Sequence, residues 1–311
     1  MLNFNNKGVP IATIKNDKNK AVKTIYLDDS AATKTPLNKP GYVTKPLCEF
    51  CGRDFYGNRE LLRHQAKSCQ VKKLFDLNNK NDIIDHNLLN NDSGMELKIE
   101  QGKIFPLPNK KLREIVYIAG PQGSGKSYYA SEYIKELQKM FPKKKIVVFS
   151  RILEDKALSN IKNKYRYDLN DDLLENRIEP KIELNNTCVL FDDIEQSINK
   201  DMQKYLEDLR DDIIKNGRDQ TEKGNDIYCI CTSHQVTDYV KTRDILNECT
   251  SITIFPKSGS TYGIKRALKC YCGLGEKDID KILNLDSRWV TIYKRYPMYC
   301  VYEKGIYLLS K

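Results

Sequence analysis

From about Lys111 onward the chain alternates short apolar runs with longer stretches of helical spacing. The apolar runs fall at Glu114–Ala119, Lys145–Phe149, Thr187–Phe191, Asp226–Thr232 and Ser251–Phe255. Short runs with few polar interruptions suit strands buried on both faces, and the helical stretches between them suit crossovers. The pattern predicts an α/β domain on a mostly parallel sheet flanked by helices, spanning residues 109–311. Near its end, Trp289–Tyr293 and Met298–Leu309, with a turn at Lys304-Gly305, predict a β-hairpin. Ahead of this domain the texture differs. Residues 1–45 are polar and rich in Lys and Asn, which predicts a flexible basic arm. Residues 46–72 form a compact Cys/His block. Residues 73–108 are rich in Asn and Asp and end in Phe105-Pro-Leu-Pro, which predicts a linker.

Composition narrows the class. The 311 residues carry 52 Lys and Arg against 42 Asp and Glu, a net charge of +10 that favours a polyanionic partner. No apolar run approaches the roughly 18 residues that span a bilayer. The first residues lack the apolar core of a secretory signal, so neither a membrane partner nor secretion is expected. Three of the ten cysteines cluster at metal-ligand spacing, and several others lie in strand-like runs, which predicts a reducing compartment. Alternate pairs such as Cys229 and Cys231 are expected to pack as small apolar side chains.

The first chemical motif is Gly120-Pro121-Gln122-Gly123-Ser124-Gly125-Lys126-Ser127, which fits G-x-x-x-x-G-K-[ST] without a gap. It follows an apolar strand and opens a helical segment, the context the motif requires. Its glycines let backbone N–H groups turn inward around phosphate, and a helix N-terminus adds positive potential. Lys126 reaches the β- and γ-phosphates, and the Ser127 hydroxyl ligates Mg²⁺. The predicted cofactors are therefore ATP and Mg²⁺. A second strand, Cys188-Val-Leu-Phe-Asp192-Asp193, ends in two acids. Asp192 is the candidate to hold the metal and Asp193 to orient the attacking water, with Glu195 as rival. A third strand ends in Ser233-His234-Gln235, where Gln235 or Ser233 could sense the γ-phosphate. Just before it lies Arg218, either a surface residue or a finger reaching a neighbouring subunit's nucleotide.

The Cys/His block reads Cys48-x2-Cys51-x12-His64-x4-Cys69, with Phe55 and Leu61 where a ββα finger packs its small core. That spacing predicts a tetrahedral Zn²⁺ site. The surrounding Arg53, Arg59, Arg63, Lys67, Lys72 and Lys73 favour sequence-tolerant contact with phosphates, and docking on a protein stands beside it.

Taken in order, the phosphate loop, Asp192-Asp193, Gly-Arg218 and Thr232-Ser-His-Gln235 resemble the FtsK/HerA superfamily. Within it they most resemble the poxvirus-type genome-packaging ATPases of large DNA viruses and virophages. The resemblance covers roughly residues 110–311. It implies a RecA/FtsK-like P-loop NTPase fold and an ATP-driven motor that assembles as a homo-oligomeric ring and moves double-stranded DNA into a capsid. It also implies a capsid protein partner, and a place in the host cytoplasm at the site of virus assembly and in the virion. By position it assigns Lys126 and Ser127 to nucleotide and metal, Asp192 to metal, Asp193 to the water, Gln235 to sensing and Arg218 to the finger. Asp193 stands where glutamate is common in the wider superfamily. Other readings of the same residues are a helicase or transcription-associated ATPase, and a zinc-finger scaffold that uses nucleotide as a switch.

Overall fold

The computed structural model describes residues 1–28, His64, 96–152, 155–196, 199–217, 226–238 and 241–309. The chain divides into two compact units, one made of Met1–Asp29 with Asn91–Lys311 and the other of Ser30–Asn90. In the second unit His64 is helical and buried. The other three proposed zinc ligands, Cys48, Cys51 and Cys69, lie outside the described residues.

The first unit opens with β1 (Leu2–Asn3), β2 (Val9–Lys15) and β3 (Ala21–Leu27), and continues with β4 (Glu96–Lys98), β5 (Lys103–Pro106) and β6 (Ile115–Ala119). Then follow α1 (Lys126–Met140), β7 (Lys145–Ser150), β8 (Lys164–Arg166), α2 (Asp171–Glu175), α3 (Pro180–Glu183) and β9 (Thr187–Asp192). The remainder is α4 (Lys200–Asn216), β10 (Tyr228–Ser233), α5 (Arg243–Glu248), β11 (Ser251–Ile254), α6 (Thr261–Cys272), α7 (Glu276–Leu283) and β12–β14 (Val290–Tyr293, Tyr299–Tyr302, Gly305–Leu308).

Ten strands form one sheet in the order β4-β14-β13-β12-β11-β6-β10-β9-β7-β8. The run from β11 to β7 is parallel, as the apolar runs predict, and β8 adds a further parallel strand at the edge that no apolar run announced. Every residue of β6, β9 and β10 is buried, because helices cover both faces of this half. From β11 outward to β4 the sheet turns antiparallel. The predicted terminal hairpin is a three-stranded meander, and β4 closes it at the edge.

Two expectations for the N-terminal third do not hold. Residues 9–15 and 21–27 are strands and not a flexible arm: β1, β3, β2 and β5 form a four-stranded antiparallel sheet. Its buried apolar set (Ile11, Ala12, Ile14, Ile25, Leu27 and Ile104) is short and interleaved with Lys and Thr, so mean composition hides it. The expected linker likewise holds β4 and β5. Pro106 fits because β5 is an edge strand, where a missing N–H removes no interior ladder bond.

This small sheet packs on α1. Phe105, Tyr129 and Trp289 form a ring cluster with centroids 5.1–5.6 Å apart. Beside it the buried Lys15 ammonium lies 3.2 Å from Glu132 and 2.9 Å from Glu136 of α1. The helix itself buries Tyr129, Ala130, Tyr133, Ile134 and Leu137, one stripe at helical spacing. At the far end of the core, buried Arg113 donates to the carbonyls of Ile213, Ile214 and Ile227, tying α4 to the chain entering β10. No helix among the described residues is long and apolar enough to cross a membrane.

Candidate nucleotide site

The register of the parallel strands brings the motifs together. Ala119 pairs with Ser233, Thr232 with Asp192, and Asp192 with Ser150, so β6, β10, β9 and β7 end side by side. Ligands of such sheets sit outside these carboxyl ends.

The loop leaving β6 is tied to its neighbour by Gly120 N–H, which donates to the Ser233 carbonyl at 3.0 Å. A Cβ at Gly120 would lie 2.7 Å from the Phe255 ring and 2.8 Å from Ser124 Oγ, so only glycine fits there. Gly123 and Gly125 have φ of 76° and 106°, the left-handed region that side chains disfavour. Helix α1 then begins with no side-chain cap and no acid in its first turn. Its opening N–H groups and dipole are left for an anion. Ser124 Oγ is buried and has no hydrogen-bond partner among the described residues. Pro121 and Ser127 are half-buried, and Gln122 is exposed on the loop.

Lys126 is buried and points back across the loop. Its ammonium donates to the Gly120 carbonyl at 3.0 Å, lies 3.3 Å from His234 Nδ1, and stands 3.7 Å from Asp193 Oδ2. His234 Nε2 meets the same Asp193 oxygen at 3.1 Å. Asp193 reaches this position through a left-handed backbone, φ 47°, held by its N–H donating to Thr232 Oγ1. Such a backbone costs about 1–3 kcal/mol outside glycine, and aspartate is among the residues that tolerate it best.

Asp192 is only 2% exposed. It accepts from Thr232 Oγ1 at 2.8 Å and Ser150 Oγ at 3.0 Å. Burial, aided by the charges of Asp193 and Asp155, pushes its carboxyl above the usual range, against the two hydroxyl donors. Among the described residues no cationic side chain makes an ion pair with it. A buried carboxylate held in place by hydroxyls and short of positive charge fits a divalent cation, with Ser127 as the further oxygen ligand. Among the described residues no group of three or more His, Cys, Asp or Glu forms a metal cluster.

The rival acid, Glu195, is held elsewhere. It accepts from Ser233 Oγ at 2.9 Å, and burial raises its carboxyl above the usual range. Gln235 is exposed and is tied through its backbone, its N–H donating to Ser233 Oγ and its carbonyl accepting from Tyr117. Arg218 lies outside the described residues. Sequence reasoning gave no role to His234 or Ser150. The strand expected at Lys145–Phe149 runs one residue further, and that residue carries the Ser150 hydroxyl. His234 was visible only as one of three consecutive polar residues. Which of the three turns toward Lys126 depends on how the chain leaves β10.

The chain is similar to several known proteins. The family described as AAA domain matches residues 112–229. Uncharacterized protein V3 of Sputnik virophage is 42% identical over 212 residues, covering 68% of this chain and 83% of that protein. Among solved structures, the DNA-packaging ATPase B204 from Sulfolobus turreted icosahedral virus is similar at 16% identity and a TM-score of 0.40, covering 64% of this chain and 98% of that one. The genome-packaging NTPase B204 of Sulfolobus turreted icosahedral virus 2, in complex with ATP-gammaS, is similar at 16% identity and a TM-score of 0.39 over the same shares of the two chains. The chain belongs to the family of the Sputnik virophage V3 protein, and its core has the α/β P-loop NTPase fold.

Proposed function

We propose that this protein is an ATP-hydrolysing motor that moves double-stranded DNA into a viral capsid as a homo-oligomeric ring. The observation that carries the proposal is the convergence of Lys126, Asp193 and His234 beside Asp192, across a phosphate loop with an uncapped helix behind it. Phosphoryl transfer needs little covalent chemistry from a protein; it needs positioning and compensation of charge. Ser127 and Asp192 would hold Mg²⁺, which neutralises charge on the β- and γ-phosphates. Lys126 exchanges its contact with Asp193 for the incoming phosphates. Asp193, still held by His234, then orients the attacking water and accepts its proton. Ser150 and Thr232 fix the Asp192 carboxylate. Gln235 acts as the phosphate sensor and Arg218 as a finger supplied across the subunit interface. Cys48, Cys51, His64 and Cys69 bind Zn²⁺ in the second unit, which contacts DNA phosphates or a capsid protein. The site of action is the host cytoplasm where virions assemble, and the protein can travel in the virion.

The test is the steady-state rate of ATP hydrolysis by the zinc-loaded chain at low salt, with and without long duplex DNA. The reading expects strong stimulation by intact duplex, abolished in Lys126→Ala. Turnover indifferent to DNA would overturn the motor. Strand separation on a tailed duplex would favour a helicase, and binding without turnover a nucleotide-switched scaffold. Mixing Arg218→Ala with Lys126→Ala subunits should restore part of the activity if the arginine acts across an interface.

A further inference from the structure

Next to Ser124 and Gly125, beside the phosphate loop, lies a pocket of about 370 Å³. That volume falls within the roughly 300–1,000 Å³ typical of small-molecule sites. One wall is the N-terminal sheet, contributing Phe105 and Asn19; another is the start of α1, contributing Tyr128; the third is the segment entering β12, with Arg288 and Trp289. Trp289 is packed from behind by Phe105 and Tyr129, so its indole is a fixed plate. Tyr128 stands apart: its side chain is 61% exposed, a large aromatic ring left open to solvent on the helix that carries Lys126 and Ser127. Arg288 sits at the rim. Its Nη2 lies 3.8 Å from where a side-chain carbon on Gly125 would project, and its guanidinium makes no ion pair among the described residues. The unpartnered Ser124 hydroxyl, in a residue only 9% exposed, stands between the pocket and the loop.

An open aromatic ring, a fixed indole and an arginine whose guanidinium makes no ion pair among the described residues, all bordering a phosphate-binding loop, match the two ends of a nucleotide. Glu303 accepts from the Arg288 backbone N–H at the same rim. We infer that this pocket receives the nucleobase of the nucleoside triphosphate, in contact with Tyr128 and Trp289, while Arg288 adds positive charge where base and phosphates join. The inference rests on the phosphate-loop reading above and extends it to the selection of the ligand. It gives the N-terminal sheet a function. The sheet is no part of the parallel core, yet without Phe105 and Asn19 the base would lie on an open surface.

Trp289 is the only tryptophan in the sequence, so its emission, excited where tyrosine does not absorb, reports on this pocket alone. The full chain is titrated with ATP and, separately, with inorganic tripolyphosphate, and affinities are measured in parallel by calorimetry. ATP should change Trp289 emission along the calorimetric binding curve, and tripolyphosphate should bind without that change. Tyr128→Ala, which removes an exposed ring, should weaken ATP about tenfold while tripolyphosphate affinity stays within about twofold, the second figure also showing that the variant is folded. ATP binding with Trp289 emission unmoved and Tyr128→Ala affinity unchanged would overturn the base pocket and leave the phosphate loop standing. Failure of both ligands to bind, or binding that survives Lys126→Ala, would overturn the phosphate-loop reading and the pocket with it.

Discussion

Lys15 ties a sheet that sequence composition hides to the helix that carries the phosphate loop. Its side chain is 6% exposed, and it is shared between Glu132 and Glu136, themselves 8% and 6% exposed. Lys15→Met keeps the volume of the stem and removes the charge. Two buried carboxylates then lose a common counter-ion, and breaking a buried pair costs about 3–5 kcal/mol. Lys135 and Lys139 remain at 2.9 Å on the outer side, which argues for the lower end of that range. At roughly 2–4 °C per kcal/mol for a domain of this size, the melting temperature should fall by about 6–12 °C.

The acid limb gives an independent check on the same cluster. Burial pushes Glu132 up, but Lys135, Asn19 and Lys15 outweigh it and hold the carboxyl down at about 2, against 4.5 unperturbed. A carboxyl lowered in the folded state adds stability that is complete above its unfolded value and is lost as pH falls through that window. Discounted for solvent screening of its outer contact with Lys135, the contribution is on the order of 1–2 kcal/mol. Thermal unfolding of parent and variant should therefore differ most near neutrality and converge as pH drops. The triple variant Lys15→Met, Glu132→Met, Glu136→Met should recover most of the loss, since an apolar set can replace a buried ion cluster at little cost. A Lys15→Met protein melting within about 2 °C of the parent at neutral pH would refute the reasoning. It would mean that the ring cluster alone holds the sheet.

Three further outcomes follow from the geometry. Gly120→Ala should lower ATP affinity at least about tenfold in calorimetry, because its methyl group collides with buried Phe255 and with Ser124. His234→Ala should lower kcat about 10²-fold with little change in KM for ATP, since it withdraws the imidazole that holds Asp193; His234→Gln should return part of the loss. Glu114, driven up by burial to about 7 despite a hydrogen bond from Tyr133, holds its proton in the folded state over a pH range where the unfolded chain loses it. Its contribution is therefore complete below about 4.5 and falls away as pH rises through about 7, a loss of about 3 kcal/mol that Glu114→Gln should abolish in melting curves taken across this range.

The five inner parallel strands were legible because they are largely buried on both faces and interrupt their apolar runs little; β8, a mostly exposed Lys-Tyr-Arg edge strand, gave no such signal. The phosphate loop was legible because its chemistry needs contiguous residues in fixed order. Asp192 and Asp193 could be placed at a strand end and assigned to metal and to water, but the geometry that sets them apart could not be read from adjacent residues. The separation comes from a left-handed turn at Asp193, which sends one carboxylate to Lys126 and leaves the other under Ser150 and Thr232. The small sheet was missed because its pairing is remote: Ala12 lies opposite Pro106. Phe105-Pro-Leu-Pro reads as a linker until Phe105 is seen against Tyr129 and Trp289. Local pattern cannot report a partner that lies so far along the chain.

That remote pairing makes Ser30–Asn90 an insertion and not an appendage. Strand β3 ends at Leu27, β4 begins at Glu96, and both belong to the unit that holds the phosphate loop. For a flexible connection the entropy of closing a loop rises only logarithmically, by about 0.6 kcal/mol for each doubling of length. The closure cost to the host fold therefore depends only weakly on how much chain is spliced at this point. Such a position works as a cassette: a short Gly/Ser bridge between residues 28 and 96 should leave the first unit folded with its nucleotide site in place, for comparison with the full chain.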